Sequence, residues 1–290
     1  MPRGPPESPA DPPETPAERA GAWLDSALRG LGRSLFEALP VFERQLRLVR
    51  SLYADATVRL TCWGYNRRHA APIEPYRVLW VDPARIVRLS RHSTRPRFRR
   101  LGTVVDGDWD RCEIRFRETD VFYAFERHFE EGVPWEETAF FSRVLEEMNE
   151  GAERWGCTSR SEFRDRCERL DRLYESLREH GFYSQRQLLE SGVDDPVEYR
   201  RATVAERIIN DEIAVDVARD GELLFADGRN RLAIAKILGV DAVPVVVLRR
   251  HAQWAAWRDA VATFLENGGD LRGRLREHPD LASLREAARS

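Results

Sequence analysis

The residues whose types and spacing fit together chemically are Asp227-Gly228-Arg229-Asn230-Arg231, set between the apolar run Leu223-Leu224-Phe225 and the segment Leu232, Ile234, Ala235, Ile237, Leu238. That order reads as strand, tight turn and helix. A helix start exposes backbone N–H groups and a partial positive charge, both of which favour phosphate. Gly228 permits close backbone approach, Arg229 and Arg231 can add charge-assisted bonds, and Asn230 offers a neutral donor and acceptor. Arg229 and Arg231 are two apart and cannot share a helix face, so one of them reaches a ligand; Arg231 is the phosphate ligand of this reading, with Gly228 and Arg229 as backbone donors. Asp227 works against it, because a carboxylate at an anion site repels phosphate. It caps the helix, holds a Mg²⁺ that bridges to the phosphates, or acts as a catalytic base. Glu222 is a further acid nearby, at a hairpin position that implies exposure.

The flanking pattern says what must hold these residues. Ile213, Val215 and Val217 alternate with Ala214 and Asp216, as in a half-buried strand. Asp220-Gly221 is a strong hairpin signal, returning the chain through 223–225. Gly239 stands where a helix C-terminus wants a left-handed residue, and residues 244–248 form a β-branched run suited to a strand buried on both faces.

Other candidates are weaker. Residues 85–100 hold seven arginines (85, 88, 91, 95, 97, 99 and 100) and His92. They could track a nucleic-acid backbone, but only Phe98 is interleaved, and a solvated loop pairing with acidic helices is preferred. Asp106, Asp108 and Asp110 lack the remaining ligands of a Ca²⁺ loop; a hairpin from 104–105 to 113–116 explains them better. Cys62, Cys112, Cys157 and Cys167 have neither zinc nor disulfide spacing, and Cys167 falls in an apolar helical stripe, so packed thiols are expected.

The net charge is −3 and charged residues make up 33% of the chain, which argues against a protein that binds nucleic acid by bulk electrostatics. Lys236 is the sole lysine among 46 Lys and Arg, so no single arginine can be read as selected for its fork of donors. No membrane-spanning run or signal-peptide core is visible, and a cytoplasmic location is expected.

Along the chain, residues 1–17 are a Pro-rich disordered tail, and 18–56 are helical, with a stripe of Trp23, Ala27, Leu28, Leu31, Leu35 and Leu39 broken at Pro40. Residues 57–63 and 76–81 look β-like. Three helices follow within 118–207, capped at Thr119 or Asp120, started at Pro134 and opened by Ser159-Arg160-Ser161-Glu162. A short helix over 184–190, a break at Asp194-Asp195-Pro196 and C-terminal helices over 251–290 complete the reading.

The segment D-G-R-N-R-L-A-I-A-K-I-L-G…V-P-V resembles the signature of the ParB/sulfiredoxin-like superfamily, in which D-G-x-H-R or G-G-C-H-R opens a helix after a strand. Val81-Asp82-Pro83-Ala84-Arg85-Ile86 is similar to the opening strand of ParB-type domains. The resemblance implies an α/β (α+β) fold: a small mixed sheet spanning 76–250 with a large helical insertion at 118–207. It implies ATP or CTP with Mg²⁺ as the ligand, and a nucleotide or phosphorylated small molecule as the partner, with phosphotransfer a further implication. Arg229 stands where sulfiredoxins have their cysteine and Asn230 where the histidine stands, so neither reductase chemistry nor a titrating histidine carries over. Arg231 matches the family arginine. Too little chain follows for the helix-turn-helix of a partition protein. A DNA- or protein-interaction module using 85–100, and a fold retained with a decayed site, are the alternatives.

Overall fold

The computed structural model describes residues 43–191 and 203–289. The expected tail, the helix expected over 18–39 and the break at 194–196 lie outside the described residues.

The sheet explains where everything else sits. Its strands are β1 (Leu79–Val81), β2 (Thr103–Val105), β3 (Ile213–Val217), β4 (Leu223–Asp227) and β5 (Val243–His251). β5 is the axis. β3 runs parallel to it on one side, while the other side is shared by β1, antiparallel at its start, and β2, parallel at its end. β4 closes the β3 edge as an antiparallel hairpin partner, turning through Asp220-Gly221 with Ala218 N–H bonded to Glu222 O. The sheet is mixed and helices flank it, so the fold is α+β.

β5 is buried throughout, as its β-branched run implies. β3 is also buried at every residue, not half-buried, because helices cover both of its faces. Asp216 survives there because Ser90 Oγ donates to it at 2.6 Å and Arg249 pairs with it at 3.1 Å, so the buried charge is compensated. Residues 213, 215, 217, 245 and 247 face one core, while 214, 246 and 248 face another. That is the period of two that a strand imposes.

Helix α1 (Glu43–Asn66) and helices α2 (Asp120–Phe129), α3 (Ala139–Asn149) and α4 (Arg160–His180) lie on opposite faces. α1 is continuous, so the β-like appearance of 57–63 was misleading: Val58, Cys62 and Tyr65 are its core face, and β-branched residues sit in a helix that tertiary packing fixes. Thr119, Thr138 and Ser159 cap α2, α3 and α4 through side-chain oxygens. The expected hairpin at 106–110 is not formed; β2 leaves to pair with β5, and residues 116–118 form a short 3₁₀ turn. Helices α5 (Gln185–Ser191) and α6 (Val204–Asp211) lead into β3, and α7 (Arg229–Leu238) joins β4 to β5. α7 buries Leu232, Ala233, Ile234 and Ala235; each of its large side chains contributes about 2 kcal/mol of burial.

After β5, α8 (Ala252–Glu266) and α9 (Ala282–Ala287) fold back. Buried Asp280 accepts from Arg250 Nε at 3.0 Å and Trp254 Nε1 at 2.9 Å, which ties the C-terminal segment to α8. The four cysteines are free and buried, and burial pushes the Cys167 thiol up to about 12. Among the described residues, no helix is long and apolar enough to cross a membrane.

Candidate functional site

The 227–231 segment has the local form its sequence implies. β4 ends at Asp227, Gly228 takes the left-handed conformation (φ 94°), and α7 starts at Arg229. The requirement for glycine comes from inside the fold. A Cβ on Gly228 would stand 2.9 Å from the Ile213 Cα, so the turn needs glycine in order to sit on the α6–β3 junction. Glu212, at that junction, therefore lies directly under the turn.

Asp227 does not cap the helix. Gly228 occupies the cap position without any side-chain cap bond, and Asp227 Oδ1 accepts from the Gly228 N–H at 2.8 Å. Its Oδ2 accepts from Arg97 Nε at 3.0 Å and from an Arg95 terminal nitrogen at 3.2 Å. Burial opposes ionisation of Asp227, but Arg97 and Arg95 outweigh it and hold the carboxyl below its ordinary range. Arg97 is itself 2% exposed in its side chain. Its Nη1 also donates to Ile209 O at 3.1 Å and Glu212 O at 2.8 Å, the last carbonyls of α6, where a cation is favoured.

The two arginines of the turn diverge, as their spacing requires. Arg229 is exposed and Arg231 is half-buried. With its amide oxygen turned toward α7, Gln185 accepts from both terminal nitrogens of Arg231, at 2.7 and 3.0 Å. The Gln185 N–H in turn donates to Glu212 Oε1 at 2.6 Å, so Arg231, Gln185 and Glu212 form one chain of contacts beneath the helix start. Glu212 is fully buried. Burial, opposed by the Gln185 N–H and by the charge of Arg231, pushes its carboxyl up to about 7. Its Oε2 and the Oδ1 of Asn230 are buried acceptors that no protein donor reaches among the described residues, a costly state for a polar atom.

Of the acids named from sequence, Glu222 is not solvent-exposed as expected: it is half-buried and paired with Arg88 through two contacts of 3.0 Å to Arg88 Nε. The arginines of 85–100 serve several separate partners. Arg88 goes to Glu222, Arg95 and Arg97 to Asp227, Arg99 to the Tyr53 hydroxyl at 3.1 Å, and Arg85 to Glu277 O at 3.3 Å. Gln185, Glu212 and the Arg95–Arg97 pair were not singled out from sequence. The acidic pair Asp211-Glu212 immediately before a strand was the one available signal for Glu212; Arg97 has no signature within an arginine-dense run.

The residues about the α7 start do not form a protein-held metal site, and cationic side chains outnumber the acids among them. The α7 start carries no side-chain cap, and Arg95, Arg97, Arg143, Arg229 and Arg231 lie about it, against Asp120, Asp211, Asp227 and the half-titrated Glu212. Both Asp227 oxygens are taken by protein donors, and among the described residues no group of three or more His, Cys, Asp or Glu could hold a metal ion. Compared with protein-family models, curated proteins and solved structures, the chain gives no significant match.

Proposed function

We propose that this protein binds a phosphate-bearing ligand at the start of α7, as the resemblance of 227–239 to ParB/sulfiredoxin-like proteins implies. The observation that carries the reading is the uncapped N-terminus of α7, ringed by an excess of guanidinium groups. Backbone N–H groups of the first turn take the phosphate oxygens, Arg229 and Arg95 close over it from the exposed side, and Arg231 supports it from below. Asn230 Oδ1 accepts from a ligand hydroxyl or amine, which ends its isolation. Asp227 anchors Arg95 and Arg97 and is too weak a base for proton abstraction in that pairing. A Mg²⁺ would enter with ATP or CTP on the ligand's own phosphates, without Asp227.

Thermal melting with ATP, CTP, pyrophosphate and inorganic phosphate, each with and without Mg²⁺, tests this. Ligand at a hundredfold excess over its Kd adds ~2.7 kcal/mol of stability. Arg231→Ala and Arg229→Ala are expected to remove most of the resulting rise in Tm. No stabilisation of the wild type by any of the four compounds would refute the proposal.

A further inference from the structure

Helix α1 carries apolar side chains on two opposite faces, and among the described residues one of them packs against no other element, its Trp63 ring meeting only Arg67 of the same helix. Ser51, Ala54, Val58, Cys62 and Tyr65 are buried against the sheet. On the far side Val49 is 61% exposed, Leu52 58%, Leu60 66% and Trp63 59%, with Ala56 exposed between them. The spacing of 49, 52, 56, 60 and 63 makes one continuous stripe along the helix. Four large side chains in a line are more than the scattered apolar residues of an ordinary surface.

The stripe reads the same in both directions about Ala56. The step from 49 to 52 is three positions and from 52 to 56 four, and the same steps recur in reverse order to 60 and 63. A stripe with that spacing can be laid antiparallel on a copy of itself about a two-fold axis, with apolar positions meeting apolar positions, as an isologous interface requires. An antiparallel crossing at Ala56 sets Leu52 against Leu60 and Val49 against Trp63 of the second copy. The small side chain at the crossing lets the two backbones approach closely. Charges agree with that arrangement: Asp55 and Arg59, joined within one helix at 2.9 Å, come within reach of Arg59 and Asp55 of the second copy, so opposite signs face each other across the axis.

We propose that the chain forms a two-fold symmetric dimer through this face of α1, with the axis at Ala56. One stripe buries less than the roughly 800 Å² per partner of a standard interface, so association in the micromolar range is expected. The competing occupant is the apolar stripe of residues 18–39 of the same chain, which lie outside the described residues.

Light scattering of the full chain over the micromolar range is expected to show a dimer that Leu60→Asp and Leu52→Asp each convert to monomer, with circular dichroism unchanged because both side chains are exposed, and with Tm equal to that of the wild type at concentrations where the wild type is monomeric. Ala56→Cys supplies the test of geometry, since the four native cysteines are buried. Mild oxidation should link two copies of it into a disulfide-bonded dimer. A wild type that stays monomeric throughout the range overturns the proposal, leaving the face to the chain's own 18–39 segment or to water. A dimer that survives Leu60→Asp, or that Ala56→Cys does not link, overturns it as well.

Discussion

Replacing Glu212 by glutamine should make the protein more stable at pH 8 and barely change it near pH 4. Glu212 is fully buried, and its carboxyl moves from an ordinary value of 4.5 up to about 7. Below pH 4.5 it is protonated in both the folded and the unfolded chain, so it carries no penalty. As pH rises from 4.5 to 7 the unfolded chain releases this proton while the folded chain keeps it, and stability falls. Above 7 both forms are ionised and the loss is complete. A rise of that size corresponds to ~3 kcal/mol, because each pH unit of difference is worth ~1.4 kcal/mol. Glutamine reproduces the shape and hydrogen-bonding of the protonated acid, including an acceptor for the Gln185 N–H, without the titration. Urea unfolding followed by tryptophan fluorescence at pH 4.5 and pH 8 reads the difference directly. The expected outcome is a variant that gains ~3 kcal/mol over wild type between those two conditions. If wild type and Glu212→Gln fall in parallel with pH, or the variant is the less stable at pH 8, the burial argument for Glu212 is wrong.

Further outcomes follow from the same geometry. Asp227→Ala should cost ~3 kcal/mol, well above the loss of a helix cap, because it strands the buried Arg97 guanidinium; urea unfolding of Asp227→Ala and Arg97→Ala, singly and together, would show the two losses to be non-additive. Gly228→Ala should cost about 3 kcal/mol from left-handed strain plus contact with the Ile213 backbone, and a loss under about 1 kcal/mol in thermal melting would disprove the packing role given to this glycine. Phosphate-ligand binding should take up protons near neutral pH, since a new negative charge above Glu212 raises its carboxyl further. Calorimetry in buffers of different ionisation enthalpy should detect that uptake in the wild type and lose it in Glu212→Gln; equal heats in all buffers would separate Glu212 from the ligand.

The strand–turn–helix–strand order of 213–248 was legible because each of its signals is local: alternation, Asp-Gly, the apolar helix face and Gly239. The helix caps at Thr119 and Ser159 were legible for the same reason. What was not legible depends on contacts far apart in sequence. Residues 57–63 resemble a strand until the sheet face that covers Val58 and Cys62 is known. Asp216 reads as a solvent-facing residue until Arg249 and Ser90 arrive from distant segments. Gly228 was read as making room for a ligand, whereas Ile213 occupies that side. At the site, sequence reasoning found the turn and missed its support, because Arg97 lies 130 positions from its partner Asp227 and Gln185 lies 46 positions from its partner Arg231, separations that spacing does not encode.

Asp227 is the residue that the proposed anion site must accommodate, a carboxylate set at the mouth of a helix N-terminus. The arrangement around it offsets its charge. Two unit charges at close range near a protein surface interact by a few kcal/mol, so an uncompensated Asp227 would offset most of what a helix N-terminus offers a phosphate. Arg97 lies 3.0 Å from that carboxylate and Arg95 3.2 Å, and the pair leaves the turn with a net positive charge. Arg97 is buried and committed to α6, but Arg95 is largely exposed and stays at the surface of the site. Glu212 works in the same direction from below. Its suppressed ionisation keeps a second full negative charge from forming under the helix start below neutral pH. The acids near α7 are thus arranged so that they would not oppose an anion at the proposed site.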